Sequence, residues 1–238
     1  MSLTDDLRAS PPSLHGRAEF WGLAWEALAF IERTVKPGMA TIETGAGAST
    51  IVFAASGADH ETVTPSQEEA DRIRAQCEQR GISTGRLTFR IGSSADVLRT
   101  WQPRPLDLAL VDGAHAFPYP TLDWWFLAPH LKIGGLMLLD DAYMPPVAAV
   151  VDHLRGSAAW TFDPPASFRT AVARKLAEEV PDPEWKGERI GGRMSFRYLP
   201  LRRRVVASVR QRVFSTHLGL KAVEVARSFM SRSGSGAG

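Results

Sequence analysis

The chain has 238 residues, of which 44% are hydrophobic and 23% are charged, and its formal net charge is +2. This length and composition predict a soluble globular protein with one α/β domain and some decoration. The single cysteine, Cys77, excludes an internal disulfide, no apolar run is long enough to span a bilayer, and the first residues lack a signal-peptide pattern. We therefore expect a cytoplasmic protein.

Predicted helices and strands alternate from residue 18 to residue 175. Apolar periodicity with Gly or Pro boundaries predicts helices over residues 18–35, 49–55, 67–80, 119–131 and 145–154, and a short one ending at residue 98. Apolar runs predict strands ending at residue 43 and over residues 60–64, 87–91, 106–111 and 136–139, with a final antiparallel hairpin over 160–162 and 170–175. The order predicts a Rossmann-like, doubly wound, mostly parallel α/β sheet with helices on both faces.

Four segments are predicted along the chain. Residues 1–17 contain two prolines and a glycine and read as an irregular lead-in, and residues 18–200 form the Rossmann-like domain. Residues 201–230 carry seven lysines and arginines and one acid between apolar positions, which predicts a basic amphipathic helical extension. Residues 231–238 should be disordered.

A glycine-rich stretch, Glu43-Thr44-Gly45-Ala46-Gly47, follows the first predicted strand. It predicts a strand, a tight turn and a helix, which together point backbone N–H groups at a ligand over the strand end. The same stretch is also compatible with an ordinary turn, because Thr50 stands where the third glycine of the dinucleotide fingerprint would fall. The residues at the other strand ends are needed to decide between the two.

Carboxylates end three of the predicted strands. Glu43 ends the first, Asp112 the fourth and Asp140 the fifth, and the carboxyl ends of parallel strands meet at one edge of a sheet. His115 follows three residues after Asp112, and Asp141 follows Asp140 directly. We expect these side chains to share one site.

The combined motifs resemble the class I S-adenosylmethionine-dependent methyltransferases. Within that class they are most similar to the metal-assisted small-molecule O-methyltransferases of the catechol and macrocin types, methyltransferase family 24. The resemblance covers roughly residues 18–175. It rests on the glycine stretch, on Asp112-Gly113-Ala114-His115 and on the segment from Leu131 to Asp141, which ends in two acids.

The resemblance implies specific roles for these residues. It implies that the cofactor, S-adenosyl-L-methionine, is bound by Glu43, Thr44, Gly45, Ala46, Gly47, Ser49, Thr64, Ser93, Ser94 and Asp112. The stretch from Glu43 to Gly47 would wrap the methionine part, and Ser93 and Ser94 would lie near the adenine. It also implies that Asp112, Asp140 and Asp141 hold Mg²⁺, and that His115 acts as general base beside Asp112.

Physical chemistry agrees with this set of roles. Three carboxylates at one site repel each other unless a cation neutralises them, and oxygen ligands favour Mg²⁺. Such an ion would lower the pKa of a substrate hydroxyl, and a histidine can take that proton near neutral pH. The alternative to a functional site is that the strand-end aspartates cap helices or loops and that His115 is an ordinary loop residue.

One position departs from the family pattern. The end of the second strand usually carries an acid for the cofactor ribose, and Thr64 stands there instead. Glu68 or Glu69 could substitute from the following helix. Asp123 reads as a solvated charge on the helix over residues 119–131.

The leading hypothesis is methyl transfer to a hydroxyl of a small molecule, either a sugar or a secondary metabolite. The alternatives are a divergent, non-catalytic nucleotide-binding or S-adenosylmethionine-binding Rossmann domain, and a nucleic-acid methyltransferase that uses the basic extension. The apolar positions of that extension favour protein packing in a homodimer over binding to an anionic membrane surface or nucleic acid.

Overall fold

The computed structural model describes residues 2–14, 22–179, 200, 201 and 203–205. The chain divides into two compact units, residues 1–192 and residues 193–238. All the helices and strands named below lie in the first unit. The predicted helical extension over 201–230 and the disordered end over 231–238 fall almost wholly outside the described residues, so both stay predictions.

Within the described residues, seven strands form one mixed sheet in the order β3-β2-β1-β4-β5-β7-β6. The first five strands pair in parallel, while β7 is antiparallel to both β5 and β6. This confirms the doubly wound sheet and its final antiparallel hairpin. The strands are β1 (Ala40–Thr44), β2 (Asp59–Thr64), β3 (Leu87–Ile91), β4 (Leu106–Val111), β5 (Leu131–Leu139), β6 (Trp160–Phe162) and β7 (Ala171–Lys175).

Seven α-helices accompany these strands in the described part of the chain. They are α1 (Leu3–Ala9), α2 (Trp25–Thr34), α3 (Ala48–Ala55), α4 (Gln67–Gln79), α5 (Ser94–Thr100), α6 (Tyr119–Leu127) and α7 (Pro145–Gly156). None of the helices in the described residues is both long enough and apolar enough to cross a membrane.

Three predicted boundaries were wrong, and one of them is the start of β5, which begins at Leu131 rather than at residue 136. The helix expected to start at residue 18 begins at Trp25, and residues 15–21 lie outside the described part of the chain. The helix expected to run to residue 131 ends at Leu127, where the 3₁₀ turn Ala128–His130 leads into β5. Pro129 explains this early helix end, because proline has no N–H to donate and its ring clashes with the preceding helical turn.

The irregular lead-in predicted for residues 1–17 was also wrong, because it contains α1. The Ser2 hydroxyl accepts a hydrogen bond from the backbone N–H of Asp5 at 3.1 Å, and the Asp5 carboxylate accepts one from the Ser2 N–H at 3.3 Å. This reciprocal capping box starts the helix. The Glu32 carboxylate of α2 accepts from the backbone N–H of Leu3 at 2.8 Å, and Leu7 is fully buried, so α1 is tied to the domain.

Apolar side chains form two core clusters, and β4 contributes to both. Leu108 and Leu110 belong to the cluster that includes α2, α3 and α4, whereas Ala109 and Val111 belong to the cluster that includes α7. Strand side chains alternate between the two faces of a sheet, so β4 is buried on both sides as its continuous apolar run predicts. Cys77 of α4 is fully buried in the first cluster, and that burial raises the pKa of its thiol.

Candidate active site

The ends of β1, β4 and β5 lie side by side. Thr44 is in register with Val111, and Val111 is in register with Leu139. The backbone N–H of Asp112 donates to the Thr44 carbonyl at 3.0 Å, and that of Asp140 donates to the Val111 carbonyl at 3.1 Å. The carboxylates predicted at these strand ends therefore lie at one edge of the sheet.

The glycine loop packs directly on the end of β4. Gly45 has a φ of +88°, in the region that favours glycine, and its N–H donates to the Val63 carbonyl at 2.9 Å. A Cβ at Gly45 would lie 2.3 Å from the Asp112 carbonyl oxygen. The fold itself therefore requires a glycine here, whether or not a ligand approaches. Gly47 is the N-cap of α3, and its N–H donates to the Thr50 hydroxyl at 3.0 Å.

The Glu43 carboxylate is buried and fully engaged by its neighbours. It accepts hydrogen bonds from the Ser49 hydroxyl at 2.6 Å and from the Thr50 hydroxyl, and one of its oxygens lies 3.1 Å from His60 Nε2. His60 in turn stacks on Phe53 with ring centroids 4.1 Å apart. We call Glu43, Ser49, Thr50 and His60 the Glu43 cluster. It joins β1 to β2 and to the start of α3, and it takes up two side chains predicted to bind the cofactor.

The other strand-end carboxylates form a second group, Asp112, Asp140 and Asp141, which we call the acid site. Burial raises the pKa of Asp112 well above its usual range, and the nearby carboxylates of Asp140, Glu43 and Asp141 raise it further. Burial also raises the pKa of Asp140, and a hydrogen bond from Thr170 opposes that rise. These acids therefore lie close together at one edge of the sheet, as predicted.

Two residues ahead of β7 complete the acid site. Arg169 Nη2 lies 3.2 Å from Asp140 Oδ2, and Arg169 Nη1 lies 3.6 Å from Asp141 Oδ1. The Thr170 hydroxyl donates to Asp140 Oδ1. Asp140 is 1% exposed, so these contacts partly offset the cost of burying its charge.

His115 also reaches the acid site, although its partner differs from the one expected. Its Nε2 lies 3.3 Å from Asp141 Oδ2, rather than beside Asp112, and one third of its side chain is exposed. A carboxylate in that position can orient an imidazole through one ring nitrogen and leave the other to face a ligand. His115 is therefore both accessible to a ligand and supported as a proton acceptor.

The donor chemistry of the acid site fits the predicted Mg²⁺. Asp140 Oδ2 and Asp141 Oδ1 are buried and accept no hydrogen bond from any described residue, and carboxylate oxygens are ligands that Mg²⁺ prefers. The spacing is less favourable. Within the described residues, no three His, Cys, Asp or Glu side chains are placed so that they could hold a metal ion together. The metal site therefore stays a prediction. The cation that faces Asp140 Oδ2 and Asp141 Oδ1 in the structure is the Arg169 guanidinium.

At the end of β2, Thr64 is linked to an acid. Its hydroxyl donates to the Glu69 carboxylate and accepts from the Ser66 N–H at 3.3 Å. Glu68, the other substitute considered for the missing ribose acid, has a side chain that is 87% exposed and lies 3.7 Å from Arg72. Of the two glutamates, Glu69 is the one placed at the strand end.

The residues predicted near the adenine lie at the start of α5. The Ser93 hydroxyl caps that helix by accepting from the Asp96 N–H at 3.3 Å. Ser94 lies close to Asp123. Burial raises the pKa of Asp123, and the nearby hydroxyls of Ser94 and Thr44 oppose that rise. Asp123 is fully buried, so its prediction as a solvated charge was wrong. Neither of its carboxylate oxygens has a hydrogen bond of good geometry from the described residues.

Comparison with known families decides the class of protein. The family model described as "Methyltransferase domain", methyltransferase family 24, matches residues 42–142, which run from β1 to just past the acid site. Residues 42–142 therefore form a methyltransferase domain, of the S-adenosylmethionine-dependent class to which that family belongs. No curated protein matches the sequence of this methyltransferase.

Solved structures share the fold of this methyltransferase at low sequence identity. The O-methyltransferase TomG from Streptomyces achromogenes, in complex with S-adenosylmethionine, has a TM-score of 0.55 and 16% identity over 66% of this chain and 82% of its own. Cofactor-bound Rv0187 from MTB has a TM-score of 0.57 and 16% identity over 75% and 90%. A putative caffeoyl-CoA O-methyltransferase from Staphylococcus aureus has a TM-score of 0.55 and 15% identity over 73% and 97%.

Three residues of the methyltransferase site, Arg169, Thr170 and Asp123, were missed or misassigned from sequence. A signal for the first two exists in the hairpin register, since Leu139 pairs with Ala171 in an antiparallel ladder. Continuing that ladder places Thr170 opposite Asp140. Asp123 carried a weaker signal, because it stands next to Trp124 and Trp125 in a helix with few other polar residues.

Proposed function

We propose that this methyltransferase transfers the methyl group of S-adenosylmethionine to a hydroxyl of a small-molecule acceptor, a sugar or a secondary metabolite. The observation that carries the proposal is the contact between His115 Nε2 and Asp141 Oδ2, at 3.3 Å, at the edge of the sheet where the glycine loop ends. Relatives of the same fold are described as O-methyltransferases, and TomG as one involved in tomaymycin synthesis.

In the proposed reaction, S-adenosylmethionine supplies an electrophilic methyl group. His115 accepts the proton of the acceptor hydroxyl while that oxygen forms its bond to the methyl carbon and the carbon–sulfur bond breaks. Asp141 keeps the imidazole oriented and stabilises its charge once it is protonated. The products are the methyl ether, the demethylated cofactor and a proton held on His115.

For the cofactor, we propose the loop residues Thr44, Gly45, Ala46 and Gly47 with Asp112, and the α5 start at Ser93 and Ser94. Glu43 and Ser49 would act indirectly, because the hydrogen bond between them fixes the loop. Glu69, held by Thr64, would accept hydrogen bonds from the ribose in place of the usual strand-end acid. A divalent ion held by Asp112, Asp140 and Asp141 would supply a Lewis acid for the hydroxyl.

The cofactor assignment is tested by calorimetric titration with S-adenosylmethionine and its demethylated product. We expect micromolar binding that weakens about tenfold in Glu69→Gln, because a charged acceptor is lost from the ribose hydroxyls. Glu68→Gln is the matched control and should bind like the wild type, since its side chain is solvated. Equal affinity in both variants would place the ribose elsewhere.

The role of His115 is tested with a panel of sugars, phenols and other hydroxylated small molecules, scored by formation of the demethylated cofactor. His115→Ala should lower kcat by about 10²–10⁴-fold while cofactor binding is kept. His130→Ala is the control, because that side chain packs on Trp101 at the other end of β5. A variant lacking His115 that keeps the wild-type kcat would remove this residue from the chemistry.

The alternatives remain open to the same experiments. The family match and the accessible His115 favour an enzyme over a non-catalytic binding domain. A nucleic-acid acceptor would depend on the basic extension, which lies almost wholly outside the described residues. Steeply salt-dependent binding of RNA or DNA by the full chain would favour that acceptor over a small molecule.

A further inference from the structure

An arginine occupies the place where the sequence predicts a metal ion. The Arg169 guanidinium contacts Asp140 Oδ2 at 3.2 Å and Asp141 Oδ1 at 3.6 Å. Those two oxygens are buried and accept no hydrogen bond from other described residues. They are therefore the atoms with unused capacity for a cation, and a guanidinium is what faces them.

The position of Arg169 is fixed by the backbone around it. Its carbonyl accepts from the Ala142 N–H at 2.8 Å, and its own N–H donates to the Ser167 hydroxyl at 3.2 Å. The same hydroxyl accepts from the Thr170 N–H at 3.1 Å. Arg169 Nη2 also donates to the Gly22 carbonyl. The turn before β7 is thus built against the residues that follow β5, and it carries the guanidinium into the acid site.

One guanidinium cannot balance the charge that surrounds it. Asp112, Asp140 and Asp141 lie together with Glu43 nearby, and Arg169 is the cation that opposes their mutual repulsion around Asp112. A divalent ion bound to carboxylate oxygens sits about 2.0–2.6 Å from them, depending on the ion. Because Arg169 faces the same two oxygens, the guanidinium and a divalent ion would compete for them.

We propose that Arg169 is the built-in counter-ion of Asp140 and Asp141, and that it competes with a divalent cation for these carboxylates. It stabilises the acid site without a metal ion and opposes the binding of a divalent ion there, where no three His, Cys, Asp or Glu side chains of the described residues are placed to hold one. By holding Asp141, it also positions His115. Arg169 is therefore a positioning residue, and this inference rests on the proposed function of the site.

The test is a direct titration of the full chain with Mn²⁺, a paramagnetic stand-in for Mg²⁺, followed by electron paramagnetic resonance and by calorimetry. Arg169→Gln should bind Mn²⁺ at least about tenfold more tightly than the wild type, because a positive charge beside two carboxylates is removed. Without metal it should melt at a lower temperature, and Mn²⁺ should restore part of that loss.

The matched control is Arg174→Gln. Arg174 is also an arginine paired with an aspartate near β7, but it contacts Asp163 and the Gly134 carbonyl, away from the acid site. Its Mn²⁺ affinity should equal that of the wild type. A third variant, Asp140→Asn combined with Arg169→Gln, should lose the gained affinity, which assigns the ion to the acid site.

Equal Mn²⁺ affinity in the wild type and Arg169→Gln, including no binding by either at millimolar Mn²⁺, would overturn the proposal. If Arg169→Gln does not fold, Arg169→Lys replaces it, since one ammonium cannot face both carboxylates as the fork does, and an intermediate affinity is then expected. Calorimetry with S-adenosylmethionine separates the two hypotheses. If the wild type does not bind S-adenosylmethionine, the proposed function is contradicted. The Mn²⁺ comparison bears on Arg169 alone.

Discussion

The Glu43 cluster and the acid site are two groups of buried carboxylates at the same edge of one sheet. Glu43 and Asp140 are both 1% exposed. Glu43 receives two hydroxyl hydrogen bonds and a histidine contact, so both its oxygens are engaged. Asp140 receives one hydroxyl hydrogen bond, and its second oxygen contacts Arg169 but has no hydrogen bond of good geometry from the described residues.

The contrast separates two uses of a buried acid. A carboxylate whose oxygens are all taken by fixed donors holds elements together, and removing it leaves those donors unsatisfied. A carboxylate with an orphaned oxygen, crowded by others of the same charge, is poised to meet a cation or ligand. We therefore expect substitutions in the Glu43 cluster to change stability, and substitutions in the acid site to change binding and transfer.

The largest loss of stability should come from substitution of Gly45, which follows β1 and packs directly on the backbone of Asp112. Gly45→Ala should lower the free energy of unfolding by about 3 kcal/mol or more, because strain at positive φ adds to a clash with the Asp112 carbonyl. Gly38→Ala is the control. Gly38 has a similar φ of +79° but open space around it, so about 1 kcal/mol is expected. Chemical denaturation measures both, and equal losses would show that the clash costs nothing.

The direct comparison pairs Glu43→Gln with Asp140→Asn. The first should cost about 2 kcal/mol of stability, because an amide NH₂ would face hydroxyl groups that need an acceptor. The second should cost about 1 kcal/mol or less, since it keeps an acceptor for Thr170 and relieves repulsion at Asp112, while methyl transfer falls. Thermal melts and the transfer assay are run on both variants. A reversed order of stability would undo the distinction between the two groups.

A third buried acid, Asp123, extends the comparison to pH. Burial raises the pKa of Asp123, so the folded protein holds this proton more tightly than the unfolded chain does. Wild-type stability should therefore fall as pH rises from the ordinary value of 3.8 through the raised pKa, and then level off. Asp123→Asn should show a smaller fall than the wild type over this window, and part of the fall should remain because the pKa values of Asp112 and Asp140 are also raised. Parallel unfolding curves across this pH window would contradict the expectation.

The smallest effect on the domain should follow from ending the chain after Pro200. The predicted role of the basic extension is packing in a homodimer, so the shortened protein should become monomeric or aggregate, while the melting temperature of a soluble product stays nearly unchanged. Light scattering measures the mass. A soluble product with the full-length oligomeric state would remove the dimer role, and a loss of binding to anionic vesicles would then favour a membrane surface.

Local pattern was enough to predict the sheet and the gathering of its acids. The bounds predicted for β3 and β4 match the structure. Each strand is a short run of mostly apolar and β-branched residues between turn-forming residues, so its ends are clearly marked in the sequence. Glu43, Asp112 and Asp140 could be placed together because parallel strands share one carboxyl edge. What each acid contacts could not be predicted in the same way. Glu43 turned inward to residues of α3, which a strand-end position does not reveal.

The remaining misses share one physical cause, which is that they depend on contacts distant in sequence. Arg169 reaches Asp140 only through the antiparallel pairing of β5 and β7, a register that composition does not specify. The helix α1 is held by Glu32, nearly thirty residues away. Asp123 is buried because α5 and α6 pack together, so the polarity of its side chain alone gave the wrong environment.

Cys77 is a natural chemical probe for local opening of the fold at α4. It is the only cysteine in the chain, and it is fully buried on the core side of α4. A thiol reagent can therefore label the protein at one place only, and only while α4 is detached from the sheet. With the reagent in excess, the labelling rate reports how often that detachment occurs, without any engineered probe. Repeating the measurement with bound cofactor would show whether ligand at the strand ends restrains a helix on the flank of the sheet.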